Sequence, residues 1–300
     1  MSTALLVTGG HGQLGRDLVD AANRHGFGFV TAADLPMLDI TDSTSVRAGL
    51  TSLVARARVD ALRPVVINAA AYTAVDAAES DVERAYGVNA HGPAVLAEAC
   101  AEHGVHLLHV STDYVFDGDA TAPYRPEDET APRSRYGRSK LAGELAVLAA
   151  ECPAHVVRTA WLYGAHGGNF VRTMARLERS RETVDVVDDQ RGSPTWTADL
   201  AAGLVGLAAA ADRVPPGVLH CVNSGETTWF GLAQAVFTEL GADPSRVRPT
   251  TTADFTRPAP RPANSVLDTA CWTAAGLPAL RPWRDALSAA VAAGVLVDRS

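Results

Sequence analysis

A chain of 300 residues, 47% hydrophobic and 20% charged, has the composition of a globular protein and the length for one large α/β domain or two unequal lobes, which excludes disordered and fibrous classes. Its net charge of −8 gives no global field that would draw it to nucleic acid or to an anionic membrane, so phosphate on any ligand has to be met by local groups.

The chain enters a strand-like run at residues 4–7 with no basic region before it, so neither a signal nor a transit peptide is expected. Further short apolar runs follow at 28–33, 65–69, 105–110 and 156–160, apolar on both faces as a parallel sheet covered by helices requires. Helical patterns at 12–25, 43–58 and 82–103 are long enough to cross between them. These repeated units predict an α/β fold, a Rossmann-type doubly wound parallel sheet built mainly from residues 1–165, with later segments returning to it. After Asn169 the rhythm loosens, and residues 166–300 are expected to form mainly a smaller C-terminal lobe. The apolar stretches 200–211 and 286–297 fall short of the roughly 20 residues of a membrane helix and read as packed Ala-rich helices. The Pro/Arg-rich stretch 257–264 reads as loop. Cys100, Cys152, Cys221 and Cys271 have no paired spacing, which predicts a cytoplasmic protein without a zinc site.

The first strand runs into a turn with glycines at Gly9, Gly12 and Gly15, which opens directly into a helix. Such a turn brings backbone close to a pyrophosphate at a helix N-terminus, the arrangement that binds NADPH or NADH. Asp34 ends the next strand about 20 residues on, where a carboxylate accepts from the adenosine ribose and repels a 2′-phosphate. That favours NADH, while Arg16 reads as an exposed helix arginine.

Tyr136 and Lys140 stand four apart at the start of a helical pattern, so they share a face. Ser111 and Thr112 end the strand before it. Lys140 is the only lysine among 26 basic residues. On a solvated face this arginine-biased chain would carry arginine, so the position calls for a compact ammonium that fits where a planar fork would not. Ketone reduction needs a proton for the nascent alkoxide, and tyrosine beside an ammonium that lowers its pKa is expected to supply it, with Thr112 holding the carbonyl oxygen. His103, His106 and His109 resemble a metal comb, but 106 and 109 point to opposite faces of a strand, so no metal site is expected. Asp188, Asp189 and Gln190 precede Arg191-Gly-Ser-Pro194 and read as a polar turn.

These motifs resemble the dTDP-4-dehydrorhamnose reductases, extended members of the short-chain dehydrogenases, over nearly the whole chain. The likeness is carried by Gly9 to Gly15, Asn68 to Asp76 with Ala78-Glu79-Ser80, Ser111-Thr-Asp-Tyr-Val-Phe116, Tyr136 to Glu144, Arg158 to Tyr163, Asp189 to Thr195, and Arg261 to Ser265. The resemblance implies NADPH or NADH as donor, held by Gly9, Gly12, Gln13, Leu14, Gly15, Asp34, Asp39, Ile40, Ala70, Ala71 and Thr73 together with Tyr136 and Lys140. It implies reduction of the 4-keto group of a dTDP-linked 6-deoxysugar, with Tyr136, Lys140 and Thr112 catalytic. Thr112, Asp113, Trp161 and Asn169 would touch the sugar nucleotide. Arg261 is our candidate for its diphosphate, because a guanidinium grips phosphate bidentately. Some members dimerise through Mg²⁺ held by surface carboxylates that find no match here; a monomer or homodimer is expected. Two rival readings share the fold: a 4-ketoreductase for another deoxysugar of secondary metabolism, such as one of dihydrostreptose type, and a non-catalytic regulatory subunit, as in methionine adenosyltransferase complexes. An intact Thr112, Tyr136 and Lys140 set argues against the second.

Overall fold

The computed structural model describes residues 2–296. Six parallel strands form the central sheet: β1 (Thr3–Thr8), β2 (Phe29–Ala33), β3 (Arg63–Asn68), β4 (His106–Thr112), β5 (Ala154–Thr159) and a sixth, Gly217–His220. Their spatial order is β2-β1-β3-β4-β5-sixth, so the direction of winding reverses between β1 and β3. Ligands bind at such a reversal, outside the carboxyl ends of the strands.

Helices cover both faces. On one, α1 (Gln13–His25) packs against a later helix, Thr197–Ala210, with Leu14, Leu18, Leu200, Leu204 and Leu207 buried over Leu5, Val7 and Leu108. On the other, α2 (Ser43–Val59), α4 (Gly92–His103) and α5 (Arg135–Ala149) bury Leu50, Leu53, Leu96 and Val147 over Leu6, Leu107 and Val156. Each such side chain contributes about 1.5–3 kcal/mol on leaving water. The alanines of Thr197–Ala210 let that helix lie close to α1. Residues 166–296 supply that helix and the sixth strand to the sheet, and also a separate core of Val171, Met174, Val184, Leu232, Phe237 and Leu287.

The helical pattern at 82–103 is not one continuous helix. A short helix, α3 (Val82–Tyr86), passes through a π-turn at Gly87–His91 before α4 begins. The inserted turn buries the Asn89 side chain, which a regular helix would present elsewhere. β4 runs to Thr112, two residues past its apolar run, because Ser111 and Thr112 continue the ladder opposite Arg158 and Thr159. His106 and His109 turn to opposite faces: His106 stacks on His155, whereas His109 meets Asn68 and Lys140.

Candidate active site

The turn after β1, the segments after β3 and β4, and the start of α5 meet over the reversal point. A β-carbon on Gly15 would lie 2.1 Å from the Gly9 carbonyl oxygen, so only glycine lets α1 start this close to the turn. No side chain caps α1 at Gly12, which leaves its positive N-terminus facing the crevice.

Below β4 the chain makes a tight turn at Asp113–Val115. The Ser134 hydroxyl caps α5 by accepting from Gly137 N at 3.0 Å. A β-carbon on Gly137 would sit 2.2 Å from the Tyr114 carbonyl oxygen, so glycine allows α5 to press against that turn and brings Tyr136 beside Thr112. Asn89 locks the other side, with Nδ2 donating to Ser139 Oγ and to the Tyr72 carbonyl, both at 3.0 Å. Thr112 Oγ1 donates to Asp113 Oδ1 at 2.8 Å and accepts from Tyr114 N at 3.2 Å. Lys140 Nζ donates to the Val110 carbonyl at 2.8 Å.

Burial governs the protonation of this wall. It pushes the Tyr136 phenol well above the ordinary tyrosine range, with the Thr112 hydroxyl opposing and Asp113 adding to the rise. Burial pulls Lys140 down to about 8, against Glu144. The net direction for the phenol is upward, against the expectation that the ammonium beside it lowers it, because burial is the larger effect. The phenol stays protonated, and so a donor, through the neutral range. Burial also raises Asp113 to about 6, against the hydroxyls of Ser265 and Thr112.

Thr112, Asp113, Tyr136, Lys140 and Trp161 line one cavity of about 470 Å³, which Gly12, Gln13, Leu14, Ala71 and Thr73 close on the other side. Gly12 and Ala71 also border a groove of about 230 Å³ lined by Gly9, Asp34, Asp39, Ile40 and Ala70. The crevice is thus continuous from the end of β2 to the Tyr136 wall, and it fits an extended dinucleotide. Glycine backbone and a helix N-terminus lie midway, a carboxylate stands at the far end, and the hydroxyls of Ser111 and Thr159 are buried without partners near Lys140. Gly15 sits behind the turn, where its role is packing.

On the opposite side, Tyr114, Phe170 and Trp229 line both this cavity and a wider trough of about 680 Å³ that holds Asp76, Arg257 and Arg261. Arg261 pairs with Asp76 at 3.0 Å and Arg257 lies 3.9 Å from the same carboxylate. Trp161 adopts a φ of +48°, rare for a residue with a side chain, and stacks on Trp229 with ring centroids 3.6 Å apart. Asn169 is not brought to either cavity wall: Oδ1 caps helix α6 (Phe170–Ser180) at Arg172 N and Nδ2 donates to the Gly164 carbonyl. Its neighbours Gly168 and Phe170 line the cavity instead. Asp188 and Asp189 tie the turn they begin to Thr228 and Thr252. Sequence reading missed Asn89, Phe170 and Trp229. A glycine next to a tyrosine-led helix hints at a close contact, but nothing local marks Trp229, whose partners lie far away in the chain.

A parallel sheet with a glycine turn at its reversal and a buried Thr-Tyr-Lys wall defines a Rossmann-type reductase of the short-chain dehydrogenase class. The model of the RmlD substrate binding domain family matches residues 3–295, and the chain belongs to that family. It is 53% identical over 286 residues to a dTDP-4-dehydrorhamnose reductase of Streptomyces griseus, covering 94% of this chain and 91% of that protein. It is 46% identical over 292 residues to a dTDP-4-keto-6-deoxy-D-glucose reductase of Streptomyces niveus, covering 97% of both. The crystal structure of a dTDP-4-dehydrorhamnose reductase from Bacillus anthracis in complex with NADP superposes with a TM-score of 0.90 at 34% identity, over 98% of this chain and 100% of that one.

Proposed function

We propose that this protein reduces the 4-keto group of dTDP-4-dehydro-L-rhamnose to give dTDP-L-rhamnose, using NADPH or NADH. The observation that carries the reading is the juxtaposition of Thr112, Tyr136 and Lys140 on one cavity wall, open to a dinucleotide groove on one side and an arginine-bearing trough on the other. A dinucleotide held in that groove would supply the hydride for the carbonyl carbon. Tyr136 gives its phenolic proton to the oxygen, which Thr112 holds as charge develops there. Lys140 stores the proton that restores the phenol.

Gly9, Gly12, Gln13, Leu14, Asp39, Ile40, Ala70, Ala71 and Thr73 hold the dinucleotide, and Asp34 meets its ribose. Asp113 and Trp161 contact the sugar, Arg261 takes the diphosphate, and Asn169 shapes the mouth through the α6 cap. Residues 1–165 act as the dinucleotide domain and 166–300 mainly as the substrate lobe. Four free cysteines support a reducing cytoplasm, and the protein works there as a monomer or homodimer. Likeness to the Streptomyces niveus protein favours one second reading, reduction of a different dTDP-4-keto-6-deoxysugar by the same wall.

Loss of nicotinamide absorbance with each sugar nucleotide tests both readings. The dehydrorhamnose substrate should give the higher kcat/KM, and Tyr136→Phe should lower kcat by at least about a hundredfold while cofactor affinity is kept. Preference for the other sugar selects the second reading, and turnover of neither removes both.

A further inference from the structure

Behind Lys140 stands a histidine that the reaction above leaves unused. His109 of β4 is fully buried. Its Nδ1 lies 3.0 Å from Asn68 Nδ2. The Asn68 amide has one possible orientation, because Oδ1 accepts the Ala70 backbone N–H at 3.1 Å and the Thr8 hydroxyl at 2.7 Å. Only its NH₂ end is left to face the ring. An amide NH₂ donates and cannot accept, so Nδ1 of His109 must carry the lone pair. The hydrogen of the neutral ring is then on Nε2, and Nε2 lies 3.5 Å from Lys140 Nζ.

An N–H turned toward an ammonium sets donor against donor. Turned toward an amine, it makes a hydrogen bond. We propose that His109 is a positioning residue for Lys140: held in its Nε2–H form by the Thr8–Asn68 pair, it favours the amine over the ammonium and so readies Lys140 to pass a proton toward Tyr136. The proton leaves Nζ, whose lone pair then accepts from Nε2–H, and reaches the phenolate that Tyr136 becomes after protonating the alkoxide.

The surrounding charges are few. Glu144, one turn along α5, favours the ammonium, but its carboxylate is held by Arg158 of β5 at 2.7 Å. Tyr136 lies one turn before on the same helix, and Asp113 follows β4. Among the described residues, Lys140 is the charged group that acts on His109, and burial keeps the ring neutral. Burial by itself already brings Lys140 down, and the ring's N–H adds to it in the same direction.

The consequence for turnover rests on reading Tyr136 as the acid; the titration of Lys140 does not. Because Lys140 is the sole lysine, protein grown on lysine labelled with ¹³C at Cε gives one side-chain resonance that reports its charge directly. Wild-type protein should titrate well below ordinary lysine. His109→Gln, whose amide oxygen can accept from the ammonium, should raise the midpoint by about one pH unit, and an unchanged midpoint overturns the proposal. The alkaline limb of kcat/KM should move with it. If the resonance moves and the limb stays, the tether stands and the acid role of Tyr136 falls. Should the variant not fold, ¹⁵N-histidine spectra of wild-type protein still decide: His109 should be the neutral Nε2–H form at neutral pH and well below the ordinary histidine range, and an Nδ1–H or protonated ring overturns the proposal.

Discussion

Asp113 is a carboxyl with 2% of its surface exposed, on the wall where charge must be controlled. Its folded-state pKa of about 6 lies above the ordinary 3.8, so the protonated acid is the form that folding favours. The stability this provides is fully present below about pH 4 and is lost as pH rises through about 6. Asp113→Asn keeps the shape without the ionisation. It should be more stable than wild type above about pH 7, by on the order of 2–3 kcal/mol, with the gap closing below about pH 4. Urea midpoints across that range test it, and a gap independent of pH would mean that the benefit is not ionisation. Retaining a costly carboxylate there fits a role with substrate. At this scale the sequence was most legible where composition broke its own rule: one lysine in an arginine-rich chain marks Lys140 without any alignment. His109 and Asn89 stayed hidden because their roles come from partners 31 to 50 positions away, Lys140 for one and Ser139 for the other. A neutral histidine in an apolar strand looks like any core residue.

Elements were legible where a period ran uninterrupted. Both-face apolar runs located every strand from β1 to β5, and α1 and α2 end where the patterns at 12–25 and 43–58 end, to within a residue. The π-turn before α4 escaped because one inserted turn in an apolar helix leaves the local composition unchanged. The sixth strand, Gly217–His220, escaped because it carries only four residues, too few for an apolar period to show. At the end of β2 the geometry supports a test of cofactor choice. Asp34 Oδ2 accepts from His11 N at 3.4 Å and the residue borders the groove beside Gly9, the groove that we propose takes the adenosine ribose. NADH should serve efficiently. Asp34→Ala should raise kcat/KM for NADPH relative to NADH by removing repulsion of the 2′-phosphate. An unchanged ratio would place the ribose elsewhere.

At the scale of the molecule, a chain of net charge −8 that takes the sugar nucleotide we propose has to meet its diphosphate with local groups, and the arginines of the trough join distant segments. Asp76, after β3, pairs with Arg261 and approaches Arg257, both in the loop 257–264, in the wall of the trough. The prolines beside Arg261 restrict that loop before any ligand arrives, which lowers the entropy lost when the guanidinium is ordered. Arg261 is 18% exposed at its side chain and Asp76 30%, so the pair contributes no more than about 1 kcal/mol to folding. Arg261→Ala should therefore leave the melting temperature nearly unchanged. Its effect belongs in binding: a diphosphate that replaced Asp76 as the partner of Arg261 would be held equally in ground and transition states. KM for the sugar nucleotide should then rise much more than kcat falls. With a simple keto substrate lacking the nucleotide, the variant and wild type should differ little, since there is no diphosphate to lose. If KM for the sugar nucleotide stays the same, Arg261 serves only its ion pair with Asp76, and the diphosphate is met by other groups along the trough.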